Sequence, residues 1–470
     1  FQNNLAREMS DNKFDYYQQL FESISGIHYQ IPTMLADWSL RNEQDVKDII
    51  SLVNDVLPYL QGAIDYTKEQ AKRDLLMIDV DAVREYCDNV IKSGENSLIL
   101  SDINKNIDTL NLEESVGNAY KEQLKTAFNS SFIPAYQAVK DLMDEVSLTG
   151  NNEEGLVKFK NGKEYYEDML KGEVGTDMSV AEVKEYLQNK MLEVYQEMTT
   201  LIQENPDLAN MTNLNDVKYS DFTSVSETLD YLKTAINTDF PKIDNLNYEI
   251  ITVPDAWKDN FSPAAYLQGK IDAPIDTPEL IYINGEYSQS LFGTIEHEGY
   301  PGHMYQHTYF KQQKNIPTVR YLIDYNGYSE GWATYVEWNG YKYAPVEDKD
   351  VLHLLSLNDK FTSIVIGLMD IGIHYDGWTY EDYKNYWKEN FNIDDEEVML
   401  EQYNLFIETP TNYLQYYLSG FLFEDLYNNA SKELGDKFSA VDFHEVILST
   451  GPAPFKILEK QVNKYINSNK

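Results

Sequence analysis

The chain has a single cysteine, Cys87, in 470 residues, so it can form no internal disulfide and hold no multi-cysteine metal site. That thiol lies inside a helical pattern at Tyr86-Cys87-Asp88 and is expected to pack, not to react. Positive charge is scarce too: 38 Lys and Arg stand against 78 Asp and Glu, a net charge of −40. Such a field repels nucleic-acid phosphates and anionic lipid, which argues against both as partners, while basic peptides could be drawn in. The acid excess otherwise reads as solubility or a saline setting. No transmembrane run is expected, and there is no internal repeat, no low-complexity tract and no long Gly/Ser linker. The first residue is Phe1, not methionine, so a removed or omitted leader of secretory or lipoprotein type is expected.

A hydrophobic share of 42% is enough to bury a large core. Apolar residues at helical spacing predict helices over 8–25, 42–72, 79–93, 111–146, 179–203 and 226–237, as with Val180, Val183, Leu187, Met191 and Val194 behind the N-cap candidate Ser179. Strands are expected at 247–253 and 280–284, flanking a loop-rich 254–279; the second reads equally as an edge strand able to pair with an extended substrate and as a structural hairpin arm. The polar stretch 149–155 predicts a surface turn, and a boundary near 240–246 divides an N-terminal helical lobe, 1–245, from a motif-bearing lobe, 246–470.

Histidine is the second scarcity. Only seven are present, and His297, His303 and His307 fall within eleven residues. His297-Glu298 followed by His303 reads as the zinc-hydrolase pattern H-E-x-x-H with two residues too many. On an unbroken helix imidazoles six apart diverge by roughly 240° and cannot share an ion, so both bind only if the segment is distorted. Tyr300-Pro301-Gly302 supplies a proline that removes a donor and a glycine that reaches conformations closed to other residues. His303 and His307, four apart, form a rival pair that needs no distortion, and spacing leaves both choices open. A third ligand is expected downstream, where Glu330 and Glu337 lie two turns apart on one helix face; Glu330 is preferred, with Glu337 behind it.

His297-Glu298-Gly299-Tyr300-Pro301-Gly302-His303 with Glu330-Gly331-Trp332-Ala333 resembles the signatures of a bacterial family known as domain of unknown function 885. Gly162-Lys163-Glu164-Tyr165-Tyr166, Pro263-Ala264-Ala265-Tyr266, Tyr282-Ile283-Asn284, Asp370-Ile371-Gly372-Ile373-His374 with Trp378, and Phe443-His444 before Gly451-Pro452 follow in the same order. Proteins of this kind resemble helical gluzincin metallopeptidases. The resemblance therefore implies a mainly α, zincin-like fold of two lobes around a deep cleft, a small sheet near the metal, one zinc ion and a peptide substrate. It also implies an exported protein, extracellular or held at the cell surface as a lipoprotein. One segment departs from the pattern Pro-Gly-Gln-x-x-x-Tyr-Lys-x-Gly: here Pro410-Thr411-Asn412 leads to Tyr416 counted forward and to Tyr417 counted back from Gly420, and the arginine that usually follows has no counterpart.

In the expected chemistry His297, His303 and Glu330 hold zinc, Glu298 is the general base for water, and Tyr416 and His374 are candidate donors to the developing oxyanion. His374 follows Asp370 by four and could equally form a helical Asp-His pair. Two imidazoles with one carboxylate also suit other divalent ions, and the resemblance favours zinc. The competing readings are an exported binding protein whose metal is structural or absent, and a zinc hydrolase of non-peptide amides.

Overall fold

The structure, a computed structural model, describes residues 13–36, 38–148, 153–210, 217–253, 258, 261–269, 273–274, 276–391 and 395–470. It is mainly helical, with one small sheet among those residues. The helix Glu43–Lys72 begins where the Asn42 side chain accepts from the amides of Gln44 and Asp45 at 2.8 and 3.3 Å, satisfying donors that a first turn leaves open. Its stripe of Val46, Ile49, Val53, Val56 and Leu60 packs with Val83, Cys87, Leu124, Phe132 and Tyr136 into a core drawn from residues 21–146. The expected helix over 111–146 runs from Glu114 to Val146 with a π turn at Phe128–Phe132. Pro134 accounts for the widening: it has no N–H to donate, and its ring crowds the carbonyl one turn back.

The expectation of a helix over 8–25 is overturned for the part described, because residues 13–26 turn and bend and the first helix among the described residues is Ile27–Ala36. Tertiary hydrogen bonds outweigh the local pattern. The Gln70 amide donates to the carbonyls of Tyr16 and Gln18 at 2.8 and 3.0 Å, and the Gln19 amide to those of Tyr17 and Leu75, so the acceptors a helix would use are taken. Tyr16 itself has φ +69°. Of the expected turn at 149–155, residues 149–152 lie outside the described part.

A second, larger core holds the motif helices. The helix Val180–Glu204 enters it behind a capping box, in which Ser179 Oγ accepts from the Glu182 amide at 3.3 Å and Glu182 Oε2 accepts from the Ser179 amide at 2.8 Å. The helices Gly162–Val174 and Val225–Ala235 share this core with Asn326–Gly340 and Asn412–Leu434, and Tyr17 and Met77 join it from the N-terminal part of the chain. Glu408, fully buried, joins the two parts by accepting from the amides of Ser23 and Asp79 at 3.0 and 3.1 Å. The helix Lys349–Ile371, continuing to Asp376, is among the described residues the one long and apolar enough to cross a membrane, and it packs here against Val180–Glu204 and Asn412–Leu434.

The sheet comprises β1 (Tyr248–Thr252), β2 (Ala264–Leu267) and β3 (Glu279–Ile283), in the order β1-β3-β2. β1 runs parallel to β3 and β2 antiparallel. The strand expected as the free edge is therefore the central one, with both its edges paired. β2, inside the stretch expected to be loop, is the edge that packs against the helix Phe292–Glu298.

Candidate metal centre

The two residues that separate His297 from regular zinc-binding spacing are spent on a break. The helix Phe292–Glu298 ends at Gly299, with φ −107° and ψ −99°; a cis Tyr300-Pro301 bond and Gly302 follow, and a new helix runs His303–Lys311. Gly302 lies so close beneath the first helix that a Cβ there would sit 1.7 Å from the His297 carbonyl oxygen, a position only glycine can occupy. Its amide donates to the Glu296 carbonyl at 3.0 Å, and the buried Trp332 indole donates to the Pro301 carbonyl at 2.9 Å. The helix carrying Glu330 thus holds the break in place. That same helix packs closely on Asn412–Leu434 because Gly331 faces Ser419, where a Cβ would lie 2.2 Å from the serine's own.

The break brings the expected ligands together. One ligand atom each from His297, His303 and Glu330 lies within 4.8 Å of the others, the one such group among the described residues. Glu330 Oε2 is 3.2 Å from His303 Nε2 and 3.7 Å from His297 Nε2. Donors of a tetrahedral zinc site with bonds of about 2.1 Å stand about 3.4 Å apart, which the two separations from Glu330 bracket. His297 Nδ1 meets Glu337 Oε2 at 3.0 Å, a carboxylate that fixes the ring so that Nε2 faces the other ligands. The charges are strongly coupled. Burial works against a charged His297, but hydrogen bonds to Glu330 and Glu337 push it well above its ordinary value. Burial likewise opposes a charged Glu330, yet His303 and His297 hold its carboxyl well below the usual range. The rival His307 points elsewhere: its ring is 6.3 Å from that of His303 and 5.6 Å from that of Tyr266, and burial lowers it to about 3.

Glu298 lies beside the set, its Oε2 accepting from the Tyr266 backbone amide of β2 at 2.7 Å. Burial pushes its carboxyl upward, opposed by His303, His297 and that amide. Tyr416 comes to the same place. Its ring lies 6.4 Å from His297, nearly parallel to it, and burial followed by the carboxylates of Glu330 and Glu298 raises its hydroxyl. After burial and Tyr413, the charges acting on Tyr417 are Glu337 and Asp359, so the two tyrosines face different groups. The forward count from Pro410 is the one that reaches the ligands. Thr411, where the family pattern has glycine, adopts φ +65°.

His374 is not brought to this centre. It is fully buried, Nδ1 accepting from the Leu156 amide at 3.2 Å and Nε2 donating to the Phe406 carbonyl at 2.7 Å. Burial lowers it to about 4, and with both nitrogens committed to backbone it has no donor left for an oxyanion. The residues that sequence reasoning missed are Tyr266, which holds Glu298, and Trp332, which holds the break. Both lay in stretches noted for resemblance, but nothing in their local spacing connects them to His297.

None of the curated proteins matches the chain. Two solved structures, each described as a "putative lipoprotein", share its fold. One, from Colwellia psychrerythraea, has a TM-score of 0.84 at 20% identity and covers 96% of this chain and 81% of its own. The other, of unknown function and from Shewanella oneidensis, has a TM-score of 0.67 at 16% identity and covers 97% and 85%. At these identities the likeness is one of fold. The family described as "Bacterial protein of unknown function (DUF885)" matches residues 1–462, and the chain belongs to that family, as its motifs implied.

Proposed function

We propose that the chain is a zinc-dependent peptidase of gluzincin type, two lobes around a cleft, exported and held outside the cell. The observation that carries the reading is the convergence of His297, His303 and Glu330 within 4.8 Å, with the Glu298 carboxyl beside them. Bound there, zinc would supply acidification of a water and polarisation of a carbonyl oxygen. Glu298 accepts the proton of that water and returns it to the leaving amine. Tyr416 donates its hydroxyl to the carbonyl oxygen as charge develops there. The outward edge of β2, whose Tyr266 amide is turned toward Glu298 and away from β3, offers backbone groups on which an extended peptide can pair. The location outside the cell is supported by the two lipoprotein neighbours.

Zinc content, measured alongside turnover of a peptide library, tests the reading. Wild-type protein should carry about one zinc, lost in both His297→Ala and His303→Ala. Glu298→Ala should keep the metal and lose roughly 10²–10⁴-fold in rate. Zinc retained by His297→Ala would sink the ligand set, and undiminished turnover by Glu298→Ala would sink the base.

A further inference from the structure

A cavity of about 440 Å³ opens beside the candidate metal centre. Tyr266 of β2 and His307 and Lys311 of the helix His303–Lys311 line one side, and Arg320 with the segment to Asp324 lines the other. Two contacts join it to the centre: the Tyr266 amide is bonded to Glu298, and the His307 ring stands 6.3 Å from that of His303. A group lodged in the cavity is therefore only a side chain's width from the ligands.

The charged groups lining it are not equivalent. Glu279 Oε2 accepts from the Tyr266 hydroxyl at 2.7 Å, and its Oε1 lies 3.8 Å from Lys311 Nζ. Asp324 accepts from the Tyr325 amide at 2.7 Å and from Ser329 Oγ at 3.2 Å. Arg320 differs from both. Its Nη2 donates to the carbonyls of Thr450 and Pro452 at 2.8 and 3.1 Å, and its guanidinium lies 5.5 Å from the Phe310 ring. Among the described residues no carboxylate forms an ion pair with it. Two backbone carbonyls and an aromatic face thus fix the guanidinium in position without neutralising it; they take up Nη2 and leave the Nε and Nη1 N–H groups to donate singly to a carboxylate. In a chain of net charge −40, a fixed cation with no carboxylate paired to it among the described residues is a local exception to the surrounding field.

We propose that this cavity is a subsite for a carboxylate of the substrate, held by Arg320 with Lys311 alongside. The inference rests on the peptidase reading for its choice of substrate. The carboxylate has two chemical sources, the free C-terminus of a peptide or an acidic side chain near the bond to be cut, and Arg320 would bind either in the same way.

The test uses zinc-loaded full chain carrying Glu298→Gln, so that binding is read without turnover. Fluorescence anisotropy follows three peptides of common sequence: one neutral and amidated, one neutral with a free C-terminus, and one amidated with a glutamate placed at each position in turn. One of the carboxylate forms should bind at least about tenfold more tightly than the neutral amide, as loss of a charge-assisted pair implies. Which form does so identifies the source. Adding Arg320→Gln should erase the preference with zinc content unchanged. Should that variant fail to fold, Lys311→Met leaves the Arg320 contacts in place and should reduce the preference severalfold. Equal binding of all three peptides, or a preference that survives the charge-removing variant, overturns the subsite. Wild-type protein that cleaves peptides without regard to carboxylates would overturn it while leaving the peptidase reading intact, whereas a carboxylate preference in a chain that cleaves nothing would overturn the peptidase reading alone.

Discussion

The surroundings of His297 and those of His374 both largely enclose imidazoles, both lie where a helix gives way to an irregular turn, and both stand in stretches that resemble family motifs. They differ in what faces the rings. His297 meets the carboxylates of Glu330 and Glu337, whereas His374 meets a backbone amide and a backbone carbonyl. Carboxylates favour a charge, a proton or a cation, at the ring; backbone groups fix one neutral tautomer and tie segments together. Burial alone does not separate a binding histidine from a structural one, but the chemistry of the partners does. His444 belongs with His374: its Nδ1 meets the Asp239 carbonyl at 2.7 Å, its Nε2 the Tyr335 hydroxyl at 3.0 Å, and its ring stacks on Phe240.

Mutation can break this contrast. His374→Ala should lower stability by about 2–4 kcal/mol, because it leaves the Leu156 amide and Phe406 carbonyl buried without partners, yet zinc content should be unchanged. Denaturant unfolding with metal analysis checks it, and zinc lost from a folded His374→Ala protein would erase the distinction between the two regions. Glu337→Gln keeps the shape at His297 but removes the charge, and should weaken zinc binding about 10–100-fold in competition with a chelator. Equal affinity would mean that the Nδ1 contact does not orient the ligand. The smallest effect links the two regions. The Thr411 amide donates to Asp370, one turn before His374, and Thr411 opens the helix that carries Tyr416 to His297. A β-branched residue at φ +65° is strained and its hydroxyl is buried without a partner, so Thr411→Gly should raise stability by about 1 kcal/mol, seen as a higher melting temperature. A fall would show that the hydroxyl is used.

What the sequence disclosed follows the same physics. The need for a break between His297 and His303 was legible because Pro301 and Gly302 carry conformational information of their own, and Glu330 was the acid preferred over Glu337 that the fold sets beside both imidazoles. The helices over 42–72, 79–93, 111–146, 179–203 and 226–237 were legible from their apolar spacing, whereas Leu98–Thr109 was not read. His374 misled because an Asp and a His four apart on a helix look the same whether they face substrate or backbone. The edge strand misled because Leu280–Asn284 has the stronger β pattern, and strong burial on both faces marks a central strand, while the short Ala264–Leu267 carries little pattern. Residues 13–26 could not be read locally, since Gln19 and Gln70 reach backbone more than fifty residues away.

The hydrogen bond from Trp332 to the Pro301 carbonyl closes a loop of constraint: the helix that presents Glu330 also clamps the turn that aims His303, while Gly302 abuts the carbonyl of His297. No one of the three ligands can shift without dragging the other two. The entropy of assembling them is thus lost when the chain folds and not when an ion arrives, which leaves more of the coordination free energy to appear as affinity. The same coupling makes this a site that a partial change of scaffold would lose all at once.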